Sequence, residues 1–147
     1  MGDTLIETKS AELTVHQVNP AFIHTIWPQV NYMLLRGLEH SQNEYGVDYL
    51  KMLIIQGQQI LLVAEEDGKI YGAATVQFEN YPNERIAFMT CIGGRMIATQ
   101  DCWKQFCDWA KANGASRVRG WAHPSVARLW HQRFGVESTY IVVDKKL

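Results

Sequence analysis

No uninterrupted apolar run in this sequence approaches ~18 residues, which excludes a predicted transmembrane helix. The formal net charge is only −1 at pH 7, so there is no bulk electrostatic attraction to nucleic acid or to an anionic membrane. Cysteine is scarce and odd in number, three residues, which argues against a disulfide framework and for reduced thiols in a cytoplasmic setting. Cys91, Cys102 and Cys107 lack metal-ligand spacing. The latter two, five apart on a helix, point about 140° away from each other, so buried small hydrophobes are the default reading. The histidines are scattered, and no Ser-His-Asp or Cys-His arrangement follows from spacing. Met1 to Ser10 is polar and carries both charge signs, unlike a secretory signal. Internal repeats and low-complexity tracts are absent.

What is present is an ordinary globular composition over 147 residues, 47% hydrophobic and 20% charged. That length suits one domain, 1–147 with a flexible lead-in over 1–10, and is enough to bury roughly two-thirds of the unfolded surface. Glu12 to Val18 alternates as a short strand, and Asn19-Pro20 opens a helix. Phe22, Ile23, Ile26, Trp27, Val30, Met33, Leu34 and Leu38 form a helical stripe, interrupted by Pro28, which is expected to kink or divide it. Val47 to Ile54 predicts a second helix, ending before Gly57. The period then changes. Ile60 to Ala64 and Ile70 to Phe78 flank an Asp67-Gly68 turn, a strong hairpin signal. Tyr81-Pro82-Asn83 turns the chain into Ile86 to Ile92.

That fourth strand ends in Gly93-Gly94 and runs on into a helix that stops at Asn113-Gly114, with Gly114 in a C-cap role and Lys111 in the last turn. Arg117 to Ala122 predicts a strand, Pro124 to Phe134 a short helix closed by Gly135, and Thr139 to Val143 a last strand. The order is β-α-α-β-β-β-α-β-α-β, an α/β sandwich on a mixed, mostly antiparallel sheet. A right-handed crossover should make the strands on either side of the Gly93-Gly94 helix parallel neighbours. Adjacent glycines running into a helix start are a candidate anion cradle, because the backbone can approach a ligand and free N–H groups attract negative charge.

This order, with a helix springing from the glycine-bearing end of the fourth strand, resembles the GNAT superfamily of acetyl-CoA-dependent N-acetyltransferases. The resemblance covers nearly the whole chain and is clearest from Ile60 to Gly135, including Val126-Ala127-Arg128-Leu129-Trp130-His131-Gln132-Arg133-Phe134-Gly135, which looks like the family's late helix. Trp109-Ala110-Lys111-Ala112-Asn113-Gly114-Ala115 resembles the end of the cofactor-side helix in small phage-encoded GNAT-like proteins. The resemblance implies acetyl-CoA as cofactor, held around Cys91, Ile92, Gly93, Gly94, Arg95 and Met96 and close to Trp130. Two departures stand out. The glycine order of the family's pyrophosphate loop is altered, and Trp130 replaces a tyrosine that serves as general acid. If the crossover helix starts at Thr99, a natural N-cap, Asp101 falls in its first turn and opposes phosphate; a start near Arg95 places Asp101 deeper.

Glu79 and Glu84, beside the turn between the third and fourth strands, are the candidate general bases; the bland alternative for each is a solvated turn charge. Arg95 is a candidate partner for pyrophosphate. Trp103, Trp109, Trp121 and Trp130 crowd the second half, where some are candidate partner anchors. Arg117, Arg119, Arg128 and Arg133 are a candidate positive face. Two functions follow. One is acetyl transfer to a small-molecule or protein amine. The other is a GNAT-fold protein without catalysis, acting through protein partners or as a homo-oligomer, with a virion or phage-assembly role as one form. Both place the chain in the cytoplasm of a bacterial host, the second also in a virion.

Overall fold

The Asp67-Gly68 pair forms the hairpin turn that the sequence announces. Both residues have positive φ, 52° and 77°, the backbone that lets two residues join right-twisted strands. The computed structural model describes residues 12–39 and 44–147; the expected lead-in over 1–10 lies outside them. Among the described residues five strands form one sheet in the order β1-β2-β3-β4-β5. They are β1 (Thr14–Gln17), β2 (Ile60–Glu66), β3 (Lys69–Tyr81), β4 (Glu84–Gly94) and β5 (Arg117–Gly120). The first three pairings are antiparallel and β4–β5 is parallel, as expected for strands joined by a helical crossover.

Among the described residues four α-helices cover the sheet: α1 (Ile23–Leu38), α2 (Val47–Ile55), α3 (Gln100–Ala112) and α4 (Pro124–Phe134). Asn19 caps the 3-10 turn Pro20–Phe22 that leads into α1, accepting from the Ala21 amide at 2.9 Å. Pro28 does not divide α1, contrary to one expectation. The helix runs through it with Ile23, Trp27, Val30, Met33, Leu34 and Leu38 all buried, and that continuous apolar stripe outweighs one missing N–H.

Strand alternation sorts the core into two layers. Leu61, Val63, Ala73 and Cys91 pack under α1 and α2. Leu62, Ala64, Ala74, Val76, Ala87 and Met89 pack under α3, with Phe106, Cys102 and Ala110. The expected last strand, Thr139 to Val143, does not form. Residues 135–147 carry no regular structure, and Tyr140, Ile141 and Val143 are more than four-fifths exposed. A β-branched run supplies strand propensity, but a strand exists only when a neighbour accepts its ladder.

Candidate functional site

β4 and β5 separate part-way along their length. Their register runs from Ile86↔Arg117 to Met89↔Gly120 and then stops, so the strands are unpaired from Thr90 on one and Trp121 on the other, the candidate cleft. It lies at the carboxyl ends of two parallel strands, where α/β folds place ligands. A bulge sits at the mouth. Thr75 pairs with Cys91 and Val76 with Met89, leaving Thr90 as the extra residue that bends β4 away. The bulge turns Thr90 and Cys91 toward the same α1–α2 side. The Thr90 hydroxyl donates to Gln59 Oε1 and lies within hydrogen-bond reach of Thr75 Oγ1, both at 2.7 Å. Gln59 in turn donates to Gln77 Oε1 at 2.8 Å. Burial and Cys91 raise the pKa of the Tyr45 phenol, partly offset by its hydrogen bond with Thr90.

Cys91 is no nucleophile. Its thiol is buried, donates to the Leu34 carbonyl at 3.3 Å, and is pushed up to about 12 by desolvation, so almost no thiolate exists near neutrality. Burial also raises Cys107. An acyl-cysteine route through Cys91 therefore has no support.

The glycines at the end of β4 are required by packing. A Cβ on Gly93 would lie 2.5 Å from the Met33 carbonyl carbon and closer still to its oxygen. Gly94, at φ 62°, would meet the Tyr71 carbonyl at 2.5 Å. From α1, a Cβ on Gly37 would press on the Ile92 carbonyl and on the Cys91 sulfur, the latter at 2.7 Å. The pair expected to cradle an anion thus lets α1 sit directly on β4. The amides suited to an anion come next. Among the described residues, Ile97, Thr99, Gln100 and Asp101 form no backbone hydrogen bond through N–H, which leaves a run of donors at the start of α3.

The structure decides where α3 begins. Thr99 is the N-cap and accepts from the Cys102 amide at 3.1 Å, so Asp101 falls in the first turn and its charge opposes an anion there. Arg95 is exposed beside this run. Arg133, from the far end of α4, donates to the Ala98 carbonyl at 2.6 Å, and the Gln100 side chain donates to the Arg133 carbonyl. Trp103 stacks on Phe134 at 4.9 Å to hold the two helices together. Arg133 entered the sequence reading only as part of a basic cluster; no local pattern links it to Ala98. Met96 is fully buried and its backbone packs against Gly72, so neither its side chain nor its amide is open to a ligand. Ile92 is partly buried on the α3 side of the cleft.

Trp130 lies at the cleft on the α3 side, its ring 3.9 Å from where a Cβ on Gly120 would sit. An indole offers one weak donor and no titratable proton. Trp121 is on the opposite side, 65% exposed, edge-on to Phe88 at 5.5 Å. The two candidate bases have different surroundings. Glu84 is held by Arg117, Nε to Oε1 3.1 Å. Glu79, half-buried opposite Ile86, makes no hydrogen bond or ion pair among the described residues. The expected basic cluster is dispersed: Arg117 and Arg119 lie on the sheet, Arg128 is exposed on α4, and Arg133 is committed to Ala98. Among the described residues no three His, Cys, Asp or Glu side chains could hold a metal ion, and no helix is long and apolar enough to cross a membrane.

The fold recurs in solved structures. An aminoglycoside N-acetyltransferase, AAC(6')-Iy, in complex with CoA matches at TM-score 0.63 and 18% identity, over 92% of this chain and 95% of that one. The chain has the GNAT fold. A ribosomal-protein-alanine N-acetyltransferase from Brucella melitensis biovar Abortus 2308 matches at TM-score 0.67 and 14% identity, over 92% and 99%. An aminoglycoside acetyltransferase from an uncultured soil metagenomic sample, in complex with sisomicin, matches at 0.63 and 14%, over 92% and 96%. At these identities the likeness establishes the GNAT fold and not an activity. No model of a known protein family matches the sequence, and no curated protein matches it.

Proposed function

We propose that this GNAT-fold chain is an N-acetyltransferase that binds acetyl-CoA in the β4–β5 cleft and passes the acetyl group to an amine. The observation that carries the reading is the opening of the sheet after Met89↔Gly120, with a run of unbonded amides at the start of α3. The amides of Ile97, Thr99 and Gln100 suit a pyrophosphate, with Arg95 and Arg133 adding positive charge. β4 backbone donors from Thr90 to Gly93, freed from β5, can polarise a carbonyl lying in the cleft. Trp130 lies beside Gly120, where the β4–β5 pairing ends. When bound, acetyl-CoA supplies an activated thioester; the protein supplies orientation and deprotonation.

Glu79 is the favoured base because Arg117 already occupies Glu84. The Glu79 row lies three residues, about 10 Å, from the last β4–β5 pair, so it acts through water. Three free cysteines suit a reducing, cytoplasmic setting. The test is thiol release from acetyl-CoA in the presence of mixed amines, with the acetylated product identified by mass spectrometry. Release above hydrolysis supports transfer, and acetyl-CoA binding without product counts against it.

A second reading is favoured by Trp130 at the cleft and Asp101 in the first turn of α3: the same fold used for interaction without turnover, through a protein partner or a second copy. A phage virion or assembly role belongs to this reading and rests on sequence resemblance alone. A stable oligomer or co-purifying partner that protects Trp121 and Trp130 would support it.

A further inference from the structure

The register of the sheet lines up one row of side chains beside the cleft mouth, on the face under α1 and α2. Gln77 pairs with Phe88, and Phe88 with Arg119. Their neighbours Phe78, Ala87 and Val118 belong to the α3-side layer, so alternation puts Gln77, Phe88 and Arg119 on the opposite face. Trp121 shares that face and packs edge-on against Phe88. Arg119 is half-buried, and like Glu79 two residues along the sheet it has no ion pair or hydrogen bond among the described residues. Its neighbour Arg117, by contrast, is neutralised by Glu84. A half-buried guanidinium beside exposed aromatic surface, with an uncommitted carboxylate two strands away on the same face, is a complementary set: one cation, one anion and an apolar wall.

We propose that the acceptor is a small primary amine that also carries a carboxylate and an apolar or aromatic body, such as an apolar amino acid. Arg119 takes the carboxylate, Phe88 and Trp121 take the body, and Glu79 faces the ammonium through water. The inference rests on the reading of the cleft as an acetyl-transfer site. A polycationic acceptor fits poorly, since it would set its charges against Arg119 with only Glu79 to offset them. In the transfer, one ammonium proton passes to water held by Glu79. The amine nitrogen then bonds the acetyl carbonyl carbon while the carbon–sulfur bond breaks. A second nitrogen proton is lost to solvent, the sulfur leaves as a thiolate that takes a proton from solvent, and the products are an N-acetyl amino acid and CoA.

The experiment compares phenylalanine with phenethylamine, which lacks only the carboxylate, in the thiol-release assay. Binding of each alone is followed by tryptophan fluorescence, for the native protein and for Arg119→Gln and Arg119→Lys. The native protein should prefer phenylalanine by about 30-fold in kcat/KM, the scale of one charge-assisted pair. Arg119→Gln should collapse that ratio toward one through KM, and Arg119→Lys should recover part of it, with circular dichroism unchanged. Equal use of both amines, or a ratio that survives Arg119→Gln, overturns the proposal. Arg119-dependent phenylalanine binding without acetyl-CoA binding would keep this site and remove the transfer reading. Acetyl-CoA binding with no response to phenylalanine would do the reverse.

Discussion

Replacing Gly93 by alanine distinguishes two reasons for a glycine to end β4. If the residue is there to let a phosphate approach, alanine leaves the unliganded fold intact and weakens only the ligand. The structure gives the other answer. The new Cβ would sit 2.5 Å from the Met33 carbonyl carbon, whereas unstrained carbon pairs rest at about 3.5–4.0 Å. Both groups are backbone, so no rotamer change relieves the collision. β4 and α1 must separate by about 1 Å along the interface that buries Met33, Leu34 and Cys91. Overpacking of this kind costs about 3 kcal/mol. For a chain of this size that lowers Tm by about 6–12 °C. Gly120→Ala is the matched control: its Cβ meets Met89 and Trp130 atoms at 3.7–3.9 Å, ordinary contact, and replacing a strand glycine should be neutral or slightly stabilising. Urea and thermal unfolding of the ligand-free proteins read the difference. A Gly93→Ala protein as stable as the native one would refute the packing argument.

Three further expectations concern the site. Glu79→Gln should lower kcat by about 100-fold if Glu79 is the base, while Glu84→Gln, which loses only a partly exposed ion pair, should cost under about 1 kcal/mol of stability and little activity; equal losses in steady-state kinetics would remove the distinction. Asp101→Asn should tighten acetyl-CoA binding by about 2–5-fold in calorimetry, because it removes a negative charge from the first turn of α3, and should slightly destabilise the free helix by the same dipole argument. The Cys91 thiol, raised from its ordinary 9.0 to about 12, binds its proton more tightly in the folded state. The stability this gives is full below pH 9 and is lost as pH rises from 9 toward 12. The loss reaches roughly 4 kcal/mol at 1.36 kcal/mol per unit. Cys91→Ala should therefore flatten the alkaline limb of a urea-midpoint profile, and an unchanged limb would contradict the assignment.

The sequence made much of this legible wherever a signal was local. Asp67-Gly68 marked its hairpin because few other residue pairs adopt two consecutive positive φ values. Gly114 and Gly135 marked helix ends for the same reason, at φ 86° and 72°. Thr99 offered a cap, and the structure chose it over a start near Arg95. What sequence did not show depends on pairing across the fold. Thr90 becomes a bulge only because Thr75 and Val76 skip it, and threonine carries no sign of that role. Arg119 stands beside Phe88 only once the parallel register is known. Thr139 to Val143 has the composition of a strand, yet β5 has four residues and the run finds no ladder. Gly93-Gly94 drew attention as a candidate anion cradle, and what the sequence did not show is that a side chain there would collide with the Met33 and Tyr71 carbonyls.

The central claim is that the opening between β4 and β5 is a cofactor slot, and calorimetric titration with acetyl-CoA tests it directly. The native protein should bind in the micromolar range, and Gly120→Phe, which fills the slot beside Trp130 while the far-UV spectrum stays native, should bind at least about 100-fold more weakly. A native protein that releases no heat and gains no thermal stability at millimolar acetyl-CoA, where a ligand at 100 times its dissociation constant stabilises by ~2.7 kcal/mol, would contradict it.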